Sequence, residues 1–459
     1  MLHLSFLEYS VSDIAEFNRQ MCQAIREFAV QLKVGTYTDA DKPNNLIKNL
    51  FTAMPDGMKI VLLIDEYDCQ LTANINNPEL YEKFRTCIRE FYATLKGKKQ
   101  IKFLAITGVT RLKDVSIFSV GSDILDLSYE HAYSQMIGFT RDEIKHFYLD
   151  YLKLGVAYEQ HKEPDKVTDE EIEDLLDRMA EQYDGYCFDN KCRNRVYSTY
   201  SVNRFLQTLY ADKEVVFGDY WYEAGGVPSI LKNYLQSHKV NLEKFQNLTI
   251  KVNLNDFLSP TTLPTMDENV LMCQTGYLTL KSEISSDNYA VELGLANREV
   301  GKALAKLLAF RLISEQFLVE HSSDTNLSEC TASELIAHFN SLLAAVSYDK
   351  YPVHNEAMLM ALLQFYLIGR GLDVRVEQNN SKGRSDLIVN LKNRRVVIEL
   401  KFSSDGKNGE ALLKDTVNQI EDKEYGTENL GERELLKIAC VFDGSSEKRK
   451  ITSYSEVTR

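Results

Sequence analysis

The sequence has little of what marks a disordered or fibrous chain: glycine and proline together are 22 + 8 = 30 of its 459 residues. Apolar runs such as Ile60 to Ile64 fall far short of the ~18 residues that a membrane span needs, and Glu8 interrupts the start before a signal-peptide core could form. These absences predict a soluble globular protein with no membrane partner, and make the cytoplasm its expected compartment. The eight cysteines follow no framework. Their one close pair, Cys187 and Cys192, has no second pair at zinc-site spacing, so free thiols are expected rather than a metal site. No segment reads G-x-x-x-x-G-K-[ST], the Walker A loop whose backbone amides cradle nucleotide phosphates.

What is present supports a sizeable core. Hydrophobic residues are 44% and charged residues 26%, and at ~100 to 200 residues per domain the length predicts two to four domains. Net charge is 53 − 67 = −14, which argues against a wholly basic nucleic-acid binder. The sign is unevenly spread. From Tyr351 to Arg459 there are 17 basic and 17 acidic residues, so the first 350 carry 36 basic against 50 acidic and hold the whole excess.

The order of patterns predicts an α/β chain. Strand-like runs at Leu2 to Phe6, Lys59 to Ile64 and Ile101 to Thr107 alternate with helical stretches at Val11 to Leu32 and Pro78 to Leu95, as in a parallel sheet with crossover helices. Lys59 to Ile64 is read as a central strand buried on both faces, and Ile101 to Thr107 as the next buried strand. Helix dominates from Thr140, with capping-box starts at Thr140 to Glu143 and Thr168 to Glu171. Gly225, Gly226, Val227 and Pro228 mark a boundary before a helix opening at Ser229, and a mostly helical stretch with a short strand pair near Gly276 to Leu280 follows. Ser347 to Pro352 reads as a linker. The last unit reads as helix (Asn355 to Ile368), strand (Val374 to Gln378), strand (Ser385 to Leu391), strand (Val396 to Phe402), helix (Glu410 to Glu424) and strand (Leu436 to Phe442).

Two constellations carry chemistry. In the first, Lys59-Ile-Val-Leu-Leu-Ile-Asp65-Glu66-Tyr67-Asp68 sets carboxylates where an aliphatic strand leaves the carboxyl edge of a sheet, the edge at which open α/β folds bind ligands. In nucleoside triphosphatases the first acid orients hydrated Mg²⁺ and the second polarises the attacking water. The next strand ends in Thr107 and then Arg111, groups able to contact a phosphate there. The alternative is a strand followed by a helix cap.

Several words are longer than such a pattern requires: Leu63-Ile-Asp65-Glu66-Tyr67-Asp68, Thr107-Gly-Val-Thr-Arg111, Gly138-Phe-Thr140, Tyr183-Asp-Gly-Tyr186 and Gln274-Thr-Gly-Tyr-Leu278. In this order they resemble, over nearly the whole chain, the bacterial AAA-ATPase-like proteins that carry a C-terminal PD-(D/E)xK nuclease domain. The resemblance implies ATP binding by an AAA-like module, with Asp65 and Glu66 as its Walker B acids and Thr107 and Arg111 at the same catalytic edge. Family members begin with a strand, a Walker A loop and a helix ahead of the point where this sequence starts. The chain is therefore read as opening near the second strand of that core, and ATP as its cofactor depends on such a segment upstream. AAA relatives often assemble, so an oligomer with an arginine supplied in trans is a partner reading.

In the second constellation, Gly383-Arg-Ser-Asp386 opens one strand and Glu399-Leu-Lys401 closes the next. Residues two apart on a strand share a face, so Glu399 and Lys401 go together, and hairpin pairing can bring Asp386 beside Glu399. Two carboxylates at one point form a hard oxygen site for Mg²⁺ or Mn²⁺, and a neighbouring ammonium can stabilise charge on a phosphate. The alternative is a solvated hairpin with surface ion pairs. The block resembles the PD-(D/E)xK core, with Ser385 in place of the family's proline. The resemblance implies Asp386 and Glu399 as metal ligands, Lys401 as the lysine, Glu356 as an additional acid and Gln419 as a glutamine near the phosphate. Arg384, Lys392, Arg394 and Arg395 are read either as contacts to a DNA or RNA backbone or as a soluble turn.

The expected organisation is thus a partial P-loop AAA-like parallel sheet (1–138), a helical lid (139–225), a mainly helical middle region (226–345) and a restriction-endonuclease-like α/β domain (346–459). The expected activity is Mg²⁺-dependent phosphodiester hydrolysis. The alternative is a non-catalytic module that binds nucleic acid or a partner.

Overall fold

The computed structural model describes residues 1–34, 42–112, 124–223, 230–231, 233–234, 249–259, 262–285, 287–313, 329–346, 352–370, 372–379, 384–391, 393–423, 426–427, 430 and 433–457. At 222–223, 309–312, 373, 375–379 and 384–386 it describes the backbone alone. The expected boundary at 225–229 and most of the linker, 347–351, lie outside the described residues.

The N-terminal part is built on three parallel strands, β1 (Leu2–Ser5), β2 (Ile60–Asp65) and β3 (Ile101–Ile106), with β2 in the centre. Helix α1 (Ile14–Gln31) starts where the Asp13 carboxylate accepts the amides of Ala15 and Glu16, and its apolar stripe buries Phe17, Met21, Ile25 and Phe28. Helix α2 (Pro43–Ala53) and helix α3 (Pro78–Leu95) each open on proline, whose missing N–H costs nothing in the first turn. Phe84 of α3 meets Phe17 of α1 edge-on, ring centroids 5.3 Å apart.

The expectation of a buried third strand is corrected. β2 is central but sealed on one face only, with Ile60, Leu62 and Ile64 buried and Val61 and Leu63 half-buried, and β3 lies at the rim of the sheet with Phe103 57% exposed. An aliphatic run reads the same in sequence whether it is central or at an edge; the difference lies in what pairs with it.

Four helices follow: α4 (Arg141–Phe147), α5 (Leu149–Gln160), α6 (Asp169–Tyr183) and α7 (Thr199–Asp212). Both expected capping boxes form, Thr140 with Glu143 and Thr168 with Glu171. These helices share a core of their own, including Ile144, Leu175, Met179 and Phe205. Gly185, at φ +109°, has no room for a side chain, because a Cβ would lie 2.2 Å from the Ala296 carbonyl oxygen.

The middle region holds an antiparallel sheet of order β4-β6-β5, made of β4 (Ile250–Asn253), β5 (Leu278–Leu280) and β6 (Ala290–Leu295), together with helices α8 (Glu268–Gln274), α9 (Arg298–Leu312) and α10 (Ala332–Ala344). The expected strand pair is thus two strands of a three-stranded sheet. Glu299 of α9, fully buried, accepts hydrogen bonds from Ser201 Oγ of α7 and the Trp221 amide, each 2.8 Å, and so ties the helical cluster to this region.

The C-terminal part is helix α11 (Glu356–Gly369), strands β7 (Asp373–Asn379), β8 (Arg384–Asn390) and β9 (Arg394–Ser403), helix α12 (Gly409–Lys423), and strands β10 (Glu434–Asp443) and β11 (Lys450–Glu456). The sheet has order β11-β10-β9-β8-β7, with only β9 and β10 parallel. β11, absent from the sequence reading, alternates half-exposed and exposed residues along most of its length. Helix α11 is apolar almost all round and packs against α9 on one side and the sheet on the other. α12 covers the opposite face, where Ile420 meets Ile388, Val397 and Ala439.

Candidate active site

Each constellation sits where a strand delivers charge out of an aliphatic run, and the two are built differently. At the carboxyl edge of the parallel sheet, Asp65 accepts a hydrogen bond from the Thr107 hydroxyl. Glu66 turns the chain with a left-handed φ of 54°, and burial together with Asp68 and Asp65 pushes its carboxyl above the usual range. Asp68 is fully buried and accepts from the Val109 amide (3.1 Å), the Thr110 amide (2.6 Å) and the Thr110 hydroxyl. Burial raises its pKa against those bonds. The Tyr67 hydroxyl donates to the Thr110 carbonyl (2.9 Å) and accepts from the Leu112 amide (3.0 Å). Tyr67 and Asp68 therefore clamp the loop from Thr107 to Leu112, and Gly108 lies so close that a Cβ would stand 2.4 Å from the Tyr67 ring.

Arg111, expected at the phosphate edge, has partners within the chain. Its guanidinium is engaged by Asp126, and its amide donates to Gln274 Oε1 at 3.0 Å.

In the C-terminal sheet, Glu399 is fully buried in the middle of β9, opposite Ala439 of β10. Gln419 of α12 donates its amide to Glu399 Oε1. Lys401, two residues on and on the same face, stands 3.8 Å from Glu356 Oε1 at the first turn of α11, both partly exposed. The β8–β9 register pairs Leu387 with Ile398, so one step further sets Asp386 across from Glu399. Strand register and helix packing thus bring five sequence-predicted positions, 356, 386, 399, 401 and 419, into the carboxyl half of β9 and its surroundings.

The arginine reading is corrected here as well. Arg394 donates to the Cys330 carbonyl at 2.6 Å and pairs with Glu434, while Arg395 is buried and binds Asn390 Oδ1 and the Gly426 carbonyl. From Arg395 to Glu399 the strand advances ~13 Å at ~3.3 Å per residue, so these guanidiniums serve the far end of the sheet. Arg384 is described by its backbone only, and Lys392 lies outside the described residues.

Two known families match parts of this scaffold. A family model described as "Predicted AAA-ATPase" matches residues 1–118, and one described as "PD-(D/E)XK nuclease superfamily" matches residues 354–452. The chain joins an AAA-ATPase-like region to a PD-(D/E)XK nuclease superfamily domain. It is also 24% identical over 408 residues to the "Uncharacterized protein in vnfD 5'region" of Azotobacter chroococcum mcd 1, covering 87% of this chain and 72% of that protein.

Within the nuclease superfamily domain, a carboxylate as deep as Glu399 needs hydrogen bonds or charge to balance it. The Gln419 amide gives one bond, and the register sets the second acid, Asp386, alongside. An all-oxygen pair of that kind suits a hard divalent cation. Among the described side chains, which exclude Asp386, no three of His, Cys, Asp and Glu converge on a metal-sized point.

Sequence reasoning missed one position. The β7–β8 register pairs Val376 with Leu387 and Gln378 with Ser385, which sets Glu377 across from Asp386. Positions 377, 386 and 399 therefore form one row over three strands. Its sequence signal is weak, because Glu377 falls in the polar phase of the Val374, Val376 alternation beside Asp373 and Arg375, where any solvated strand carries a charge. Among the described residues no helix is long and apolar enough to cross a membrane.

Proposed function

We propose that the C-terminal domain is a metal-dependent nuclease that hydrolyses phosphodiester bonds of DNA or RNA. The observation that carries this reading is the buried Glu399 carboxylate, held by Gln419 and set across the strand register from Asp386. Asp386 and Glu399, with Glu356 at the rim, would hold Mg²⁺ or Mn²⁺, which when bound polarises a phosphate oxygen and stabilises charge in the transition state. Lys401 donates to the phosphate oxygens or orients a water, and the nearby Glu356 carboxylate keeps its ammonium at the site. Gln419 fixes the rotamer of Glu399, which matters because ligand orientation sets affinity.

For the N-terminal region we infer a regulatory module whose nucleotide-facing edge is Asp65, Glu66 and Thr107. Arg111 is assigned to the fold. The four-part division at 138, 225 and 345 belongs to the same proposal. The test is cleavage of plasmid DNA and of a single-stranded RNA with Mg²⁺ or Mn²⁺. Glu399→Gln should abolish cutting, a loss on the order of 10³-fold or more. Cutting at the unmodified rate by Glu399→Gln would remove the reading and leave a non-catalytic nucleic-acid-binding module in its place.

A further inference from the structure

Outside both constellations, the turn from Tyr186 to Val196 brings two thiols together. Cys187 Sγ and Cys192 Sγ are 3.8 Å apart, and neither is in a disulfide. The turn is built rather than incidental. Asp189, fully buried, accepts the amides of Lys191 (2.9 Å), Arg193 (3.0 Å) and Asn194 (2.9 Å), and pairs with His131 Nδ1 at 2.8 Å. Cys192 itself is left-handed, with φ 54°, a conformation that an unbranched non-glycine residue keeps only where its surroundings impose it. The turn is seated on β5 through the Cys187 amide, which donates to Thr279 Oγ1 at 2.8 Å, and through Cys192 Sγ, 3.6 Å from the Leu280 carbonyl oxygen.

The two sulfurs are not equivalent. Cys187 is buried, and burial pushes its thiol up to about 12. Cys192 is half-buried, with the Arg195 guanidinium 4.0 Å from its sulfur, a positive charge beside the atom that would attack an oxidant. That division into an accessible thiol and an adjacent second thiol is the arrangement of a redox-sensing pair.

We propose that Cys192 and Cys187 form a reversible intramolecular disulfide when the protein meets a hydroperoxide. In the first step the Cys192 sulfur attacks the peroxide oxygen, the O–O bond breaks, and Cys192 becomes a sulfenic acid while the peroxide leaves as water or an alcohol. In the second the Cys187 sulfur attacks the Cys192 sulfur, the S–O bond breaks, and the thiol proton leaves with the hydroxyl as water. The peroxide takes two electrons and the pair of thiols supplies them. Closing 3.8 Å to a bond of ~2.05 Å needs about 1.8 Å of sulfur movement. A small-molecule dithiol reverses the bond by exchange. Oxidation removes the Cys192 thiol from the Leu280 carbonyl, so the seat of the turn on β5 changes with redox state.

The full-length protein is treated with one equivalent of hydrogen peroxide, quenched in acid, denatured, alkylated, reduced and alkylated with a second reagent. Peptide mapping should find Cys187 and Cys192 carrying the second label together, with the other six cysteines carrying the first. Without reduction, the two peptides should run as one species two hydrogens lighter than their sum. Cys192→Ser should leave Cys187 with the first label. If that variant does not fold, the linked peptide of the unmodified protein decides alone. Oxidation of other cysteines while this pair keeps the first label would overturn the assignment, as would sulfinic acid at Cys192 with Cys187 still reduced.

Discussion

The acids at the end of β2 and the acids of the C-terminal sheet answer the same sequence pattern, carboxylates released from an aliphatic strand, and the fold uses them in opposite ways. At β2 the deepest acid is absorbed internally: Asp68, with Tyr67, holds the Thr107 to Leu112 loop. In the C-terminal sheet, register lines positions 377, 386 and 399 into one row with Lys401 at its edge. A carboxylate whose partners are backbone amides of its own loop is part of the scaffold. A row of acid positions brought together by strand register is what the proposed metal site would use.

The sharpest way to break this contrast is to neutralise one acid from each side. Asp386→Asn should weaken Mn²⁺ binding, followed by calorimetry, about 10³-fold, or ~4 kcal/mol, while Asp65→Asn leaves that titration unchanged. Equal losses from the two variants would erase the distinction between the regions. Next in size, Asp68→Ala strands two backbone amides and a hydroxyl around Thr110 in a buried site, and should cost ~3 to 4 kcal/mol of stability. The matching signature is faster amide hydrogen exchange at Val109 and Thr110, with metal-dependent cleavage intact once the variant is folded.

A third buried acid tests the scaffold use of carboxylates by pH. Burial raises the pKa of Glu299 from 4.5 to about 7. Between those values the folded chain keeps a proton that the unfolded chain has released. Its stabilising contribution is therefore complete below pH 4.5, declines as pH rises and is gone above about 7. The difference in unfolding free energy between the natural chain and Glu299→Gln should change by on the order of 3 kcal/mol across that window. A flat difference would show that Glu299 stays ionised through its bonds to Ser201 and Trp221.

How far the sequence carried these conclusions differs by element. Helix α3 was legible to the residue, because Pro78 and the spacing of Tyr81, Phe84, Ile88 and Phe91 are local signals. The capping boxes at Thr140 and Thr168 are local too. The strand-borne Glu399 and Lys401 could be told from Glu143-Ile-Lys145 and Glu421-Asp-Lys423, which lie in helices, by the aliphatic run before them. What escaped depends on partners distant in the chain. The exposure of β3 depends on its place in the strand order, the commitment of Arg111 depends on Asp126 fifteen residues on, and Glu377 acquires a neighbour only through β7–β8 pairing. Arg394 and Arg395 looked like a basic turn, because no local rule reveals that Asn390, Gly426 and Cys330 occupy them.

The position of β3 has a mechanical consequence. Among the described residues nothing hydrogen-bonds to its outer side, and Phe103 stands largely in solvent there. Growth and loss are therefore unequal for this layer: accepting another extended segment along Ile101–Ile106 breaks no hydrogen bond of the described residues, whereas peeling β3 away uncovers β2 and the loop clamped by Tyr67 and Asp68 with it.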